Sequence, residues 1–225
     1  MLTPAIETEI ANLAARYGEP RRVTAELDSF QFSPLTMRDR YGEVCMVVRR
    51  PNGRLISAKK IFYPAGAFRL LTGGIDHGEL IAAALLREVA EETGLDVVVR
   101  RFLAVIEYQL RQLRRMSDKR SAGEGFSREM KRPAAIRHPA SPIASNFATL
   151  AFLLEETGGT LQVHDPAEQI EAFRELALAD LPDLAATLEQ VPDTHDDQID
   201  GSWRDWGRFR AVTHRVVYAA LTSDA

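Results

Sequence analysis

Apolar residues along this chain switch between helical and strand spacing, and the switches mark out its elements. Residues Pro4 to Tyr17 place Ile6, Ile10, Leu13 and Ala14 at helical spacing behind Thr3, whose hydroxyl can cap the first turn, and Gly18 and Pro20 close the segment. An amphipathic helix is predicted there, suited to cover the following fold or to meet a second subunit. Arg22 to Phe32 is short and mixed, a strand leading into a loop. Glu43 to Arg50 and Arg54 to Phe62 read as strands, and Pro51-Asn52-Gly53 between them predicts a hairpin. Phe68, Leu70 and Leu71 then pack on the sheet as the chain reaches a loop built on Gly73 and Gly74, where the backbone can approach a ligand closely.

Leu80 to Glu92 lacks Gly and Pro and is rich in strong helix formers, so it predicts a helix, with Gly94 as its stop. Ala82, Leu85, Leu86 and Val89 form its packing face. Val97 to Leu110 follows as one or two strands. Asn146 to Glu155 is a buried strand, Gly158-Gly159 a turn, and Thr160 to His164 and Glu168 to Ala177 are strand-like. Pro192 to Asp200 is acidic and turn-rich. A last helix runs from about Asp205 to Leu221, with Phe209, Val212, Val216 and Ala220 on one face and Trp203 and Trp206 as aromatic anchors or nucleobase platforms.

With 225 residues, 45% hydrophobic and 27% charged, the chain suits one well-buried domain with additions. A net charge of −4 gives no general attraction to nucleic acid or to an anionic membrane. Neither a signal peptide nor a run of ~18 apolar residues that could span a bilayer is read in it, and the expected compartment is the cytoplasm. Cys45 is the single cysteine, which excludes internal disulfides and cysteine-based zinc clusters, and its apolar setting predicts a buried packing role. None of His77, His138, His164, His195 and His214 shares a metal-ligand spacing with another.

The chemistry gathers on the helix before Gly94. Glu88, Glu91 and Glu92 stand at i, i+3 and i+4, within roughly a 100° arc. Such carboxylates repel by ~0.2–0.5 kcal/mol per exposed pair unless a cation sits among them. Arg87 can neutralise Glu91 at i+4. For the others the natural counter-ion is a hard divalent cation that prefers oxygen, Mg2+ or Mn2+. The competing reading is a solvated acidic face without a ligand.

The complete string decides between the two. Gly73, five residues, Glu79, seven residues, Arg87-Glu88, an aliphatic, any residue, Glu91-Glu92, any residue, Gly94 and an aliphatic set nine restricted positions over 23 residues. This resembles the signature of the Nudix hydrolases at every defined position, although Thr72 stands where many relatives have Pro. The resemblance implies an α/β (α+β) fold, a Nudix-type α/β/α sandwich around a mixed β-sheet. The N-terminal helix (residues 1–20) and an acidic linker with a C-terminal helix (191–225) would be additions to a Nudix domain at 21–190. It implies hydrolysis of a phosphoanhydride bond in a nucleoside diphosphate linked to another group, such as ADP-ribose. Glu88, Glu91 and Glu92 would bind metal, the Gly73 carbonyl would join them, and Arg87 would orient Glu91. Glu79, Gly74 and Gly94 would support the signature. A carboxylate from outside it, Glu168 or Glu171, would be a further ligand or the general base, and Glu88 remains a third candidate for the base.

Between Arg111 and Pro142 nine Lys and Arg residues face three acids, a local balance of +6 in a chain that is negative as a whole. It is either a solvated loop or a phosphate-contacting insertion, with Arg111, Arg114 and Arg115 as candidate contacts. The expected partner is a small nucleotide diphosphate, not a nucleic acid or a membrane, and a homodimer is one arrangement the N-terminal helix would serve. Two alternatives share the resemblance. A non-catalytic nucleotide-sensing module would normally lose acidic positions, and an isoprenoid-diphosphate isomerase would need a catalytic cysteine near the metal. Tyr108 and the residues near Leu110 match no substrate subgroup, so the nucleotide derivative stays open.

Overall fold

The computed structural model describes residues 2–27, 40–110 and 147–223. Arg111, Arg114, Arg115 and the rest of the basic stretch lie outside the described residues. The element order is α1 (Pro4–Tyr17), β1 (Arg21–Leu27), β2 (Arg40–Arg49), β3 (Leu55–Lys60), β4 (Arg69–Asp76), α2 (Ile81–Thr93), β5 (Leu95–Leu110), β6 (Ala148–Gly159), β7 (Ile170–Leu176), α3 (Leu181–Glu189), β8 (His195–Asp196), β9 (Gly201–Ser202) and α4 (Trp203–Thr222). Thr3 caps α1 as its position predicts, with the Ile6 N–H donating to its hydroxyl.

Seven strands form one mixed sheet in the order β1-β5-β6-β2-β4-β3-β7. The pairs β1–β5 and β2–β6 are parallel, and the remaining neighbours are antiparallel. Strand alternation assigns the two faces. Val44, Met46 and Val48 of β2, with Phe102 and Phe152, pack with Ile10 and Leu13 of α1 and Ile81, Leu85 and Val89 of α2. Cys45 and Val47 look the other way, into a cluster with Leu184 and Leu188 of α3 and Trp206, Phe209 and Val217 of α4. Both faces are thus covered, which is why β2 and β6 read as continuous apolar runs. No described helix is long and apolar enough to cross a membrane.

Several local expectations are corrected. The glycine pair is not in a loop: Gly73 and Gly74 lie within β4 and pair with Val44 and Glu43 of β2. Because β4 inserts between the arms of the predicted hairpin, β2 and β3 meet only at Arg49 and Leu55. Gly158 and Gly159 are not a turn but the end of β6, paired with Asp96 and Leu95, whereas Val97 to Leu110 is a single bulged strand, one of the two arrangements expected. Thr160 to His164 forms no strand, because its N–H groups go to a helix end. Gln162 N donates to Thr93 O and His164 N to Glu91 O, meeting carbonyls the last turn of α2 leaves unpaired. The final helix starts at Trp203, two residues before the expected Asp205.

On α2 the packing face is also displaced. Leu86 is 52% exposed, whereas Glu88 and Glu92 are buried beside Leu85 and Val89. A step of seven residues returns to within about 20° on a helix, so Glu92 lies almost directly along from Leu85. Two carboxylates therefore continue the apolar stripe into the protein.

Candidate active site

Helix α1, strand β4 and the segment after β6 converge on α2. Its first N–H has no side-chain cap from its own Leu80. Instead, Ile81 N donates to Glu9 Oε1 of α1 at 2.6 Å. Gly94 ends the helix in the left-handed conformation, φ 63°, its N–H donating to Ala90 O. Between these ends Arg87 works as a clamp. Its Nε and Nη2 donate to the two Glu79 oxygens at 2.9 Å each, Nη2 also donates to Gly74 O at 3.0 Å, and Nη1 reaches Glu88 Oε1 and Glu91 Oε2. Signature residues distant along the chain are locked together in this way, and the Arg87 hydrogen bonds hold the Glu79 carboxyl below its usual range.

Gly73 has no room for a side chain. A Cβ built there would fall 1.9 Å from Glu88 Cδ, so the missing methyl is what allows the Glu88 carboxylate to lie against β4. At Gly74 the corresponding neighbour is the Arg40 guanidinium, 2.7 Å away. Both glycines are thus explained by close approach rather than by turn geometry.

Glu88, Glu92 and Glu168 each offer an oxygen within 4.8 Å of the others. Glu168 arrives on a short 3-10 turn, Pro166–Glu168, anchored where Asp165 N donates to Glu91 O and Asp165 Oδ1 accepts from Ala167 N. Lys60 Nζ of β3 donates to Glu168 Oε2 at 2.9 Å. Glu91 is not in the trio, since its carboxylate faces Arg87, and Glu171 pairs instead with Lys59.

Glu92 is the most constrained of the three. It is 1% exposed, neither oxygen has a hydrogen-bond donor, and the nearest cation is Arg69 Nη2 at 3.8 Å. Burial pushes its carboxyl up to about 7, with Arg69 and Lys60 opposing and Glu168 and Glu88 reinforcing the rise. Burial also raises Glu88, against the pull of Arg87. Unpaired buried carboxylate oxygens are costly, and a divalent cation with oxygen preference is the chemical species that would satisfy them. The donor set therefore fits Mg2+ or Mn2+.

Glu88 and Glu168 line a cleft of about 550 Å³ together with Gly73, Arg87 and several cations, while Glu92 lies buried behind them, outside the lining. A larger cleft, about 650 Å³, lies between α1 and the β4–α2 connection but holds none of the three clustered carboxylates. Among the lining residues of the first cleft that sequence reasoning missed are Glu43, Lys60, Arg69 and Arg210. Their only sequence signal was charge inside or beside apolar runs, as in Gly42-Glu43-Val44. Cys45 is fully buried and burial raises its thiol, so it packs as expected and is not a nucleophile for the cleft.

The chain matches the sequence model of the NUDIX domain family over residues 39–195. No curated protein sequence matches it. Similar solved structures include an ADP-ribose pyrophosphatase from Streptococcus suis, 16% identical, covering 82% of this chain and 93% of that one, with a TM-score of 0.42. A UDP-X diphosphatase is 13% identical, covers 84% of this chain and 66% of the other, and has a TM-score of 0.44. A NUDIX-family hydrolase from Clostridium perfringens is 16% identical, covers 81% and 98%, and scores 0.38. Since the family match takes in well over half of the residues, the chain belongs to the Nudix family, hydrolases that act on pyrophosphate bonds.

Proposed function

We propose that the protein is a Mg2+-dependent hydrolase, with Mn2+ as a substitute, that cleaves the pyrophosphate link of a nucleoside diphosphate joined to another group. The observation that carries this reading is the gathering of Glu88, Glu92 and Glu168 within 4.8 Å of one another, two of them lining the cleft, with neither Glu92 oxygen hydrogen-bonded. Glu88 and Glu92 would hold the ion, and the carbonyl of Gly73, packed against Glu88, would stand beside them. A bound ion would offset the charge of the pyrophosphate and acidify the attacking water.

The chain's own groups supply the rest. Glu168 is the trio's most exposed member, at 22%, and takes the proton from the attacking water, a role for which Glu171 is less well placed because it lies outside the clustered carboxylates. Lys60 steadies Glu168 and adds positive charge toward the cleft. Arg87 keeps Glu88 aligned by tying it to Glu79 and Gly74. Glu91 lies outside the cluster that Glu88, Glu92 and Glu168 form, so it is the least supported of the signature carboxylates.

A panel of nucleotide sugars, dinucleotides and nucleoside triphosphates, assayed with Mg2+, Mn2+ or EDTA, tests the reading. Hydrolysis of a pyrophosphate-linked member, lost in EDTA, is the expected result. Undiminished hydrolysis in EDTA would overturn it.

A further inference from the structure

The lining of the cleft that holds Glu88 and Glu168 comes partly from beyond the family-matched segment. That match ends at residue 195, yet Gln198, Ile199, Trp206 and Arg210 line the cleft beside Phe62 and Tyr63. Gln198 is exposed at its rim, and Trp206 is buried against Tyr63 with ring centres 4.7 Å apart. Arg210 differs from both, because it is a charged group with donors left over.

Arg210 lies on α4 and is 8% exposed. Its Nη1 donates to both oxygens of Glu43 at 2.8 Å, and Thr149 Oγ1 donates to the same carboxylate. The ring of Phe209 stacks against the guanidinium, 4.8 Å from its carbon. A guanidinium carries five N–H donors in one rigid plane, and Glu43 occupies only those of Nη1. Among the described residues no acceptor meets Nε or Nη2, and Nε is sealed from solvent. Unmet donors on a buried cation are costly, and a guanidinium nitrogen held in place by its other partners makes a charge-assisted hydrogen bond to a phosphate oxygen.

We propose that Arg210 is a substrate-binding residue, gripping a phosphate oxygen of the pyrophosphate through Nη2, the donor group that Glu43 leaves free toward the cleft, and that Glu43 is its positioning residue. Substrate grip is then partly a property of the C-terminal helix rather than of the Nudix signature. The inference rests on the pyrophosphate reading above but not on the metal.

Inorganic pyrophosphate is the probe, titrated calorimetrically into the full chain in Mg2+ and, separately, in EDTA. Arg210→Met is expected to weaken binding by about tenfold or more in both buffers, as befits lost charge-assisted hydrogen bonds. Arg215→Met, on the same helix but exposed and paired with Glu189, is expected to leave it unchanged. Glu43→Gln should raise KM while kcat stays within about twofold, a split that loosened packing alone would not give. A folded Arg210→Met chain that binds pyrophosphate as the wild type does would overturn the proposal, as would a wild-type chain that takes up none in either buffer. Should Arg210→Met fail to fold, Arg210→Lys keeps the charge and stem without the fork and decides by the same criterion. Affinity that ignores Mg2+ would count against the metal reading alone and leave the Arg210 comparison intact.

Discussion

Glu92 combines two conditions that are rarely stable together, near-complete burial and no hydrogen-bond donor. An acid whose folded pKa stands near 7, above the ordinary 4.5, favours the fold while protonated. Stability tied to it is complete below about pH 4.5 and is lost as pH rises through 7, a loss on the order of 3 kcal/mol. His214 acts in the opposite direction. Burial lowers it to about 4, so its share of stability is present above 6.5 and is lost as pH falls through 4. Wild type and Glu92→Gln share His214, and the difference between them isolates Glu92. In EDTA, urea midpoints of the wild type should fall relative to Glu92→Gln between pH 5 and 7.5, and parallel curves would refute the buried unpaired carboxylate. Gly73→Ala makes a second residue-scale prediction. The new methyl must displace the flexible end of Glu88, so turnover should drop at least about tenfold while the melting temperature changes by only a few degrees. An active Gly73→Ala enzyme would mean that the position of Glu88 against β4 does not matter.

At the scale of elements, what could be read in advance was what local periodicity encodes. The bounds of α1, the span of α2 with its Gly94 stop, and the cores of β2, β3 and β6 all follow from spacing and punctuation. The strand β4 did not, because two glycines in a run argue locally for a loop, and their real cause is the Glu88 and Arg40 side chains packed over them. Burial of Glu88 and Glu92 was likewise hidden, since nothing local tells a carboxylate facing solvent from one facing a cleft. Glu43 and Arg210 stand 167 residues apart and only the fold introduces them. A comparable close approach joins α3 and α4, where a Cβ on Gly207 would sit 2.1 Å from Leu188 O. Backbone cannot retreat as a side-chain tip can. Gly207→Ala should therefore cost about 1–3 kcal/mol, read as a lower denaturation midpoint, and an unchanged midpoint would mean the two helices do not cross this closely.

For the whole molecule, the C-terminal helix is the test of organisation. From sequence it reads as an addition packed on a domain ending near residue 190, and Trp203, Trp206, Phe209 and Val217 belong to the cluster that fills one face of the sheet. His214 stitches the same helix to β4, where Leu70 N donates to its Nε2 at 3.0 Å and Nδ1 meets Arg210 O. Full burial of four such side chains is worth roughly 6–12 kcal/mol, comparable with the entire net stability of a domain at roughly 5–15. A chain truncated before Trp203 should lose cooperative unfolding by circular dichroism, and a sharp melt in that truncation would make the helix a true appendage.

Everything catalytic depends on whether Glu88 and Glu92, with Glu168 beside them, gather a divalent ion. Titration of the full chain with Mn2+, followed by the electron paramagnetic resonance of the free ion, measures this without any choice of substrate. Saturable uptake by the wild type, weakened at least about tenfold in Glu92→Gln, is the predicted result, since a buried carboxylate ligand is lost. Equal uptake by both chains would place the ion elsewhere and contradict the proposed site.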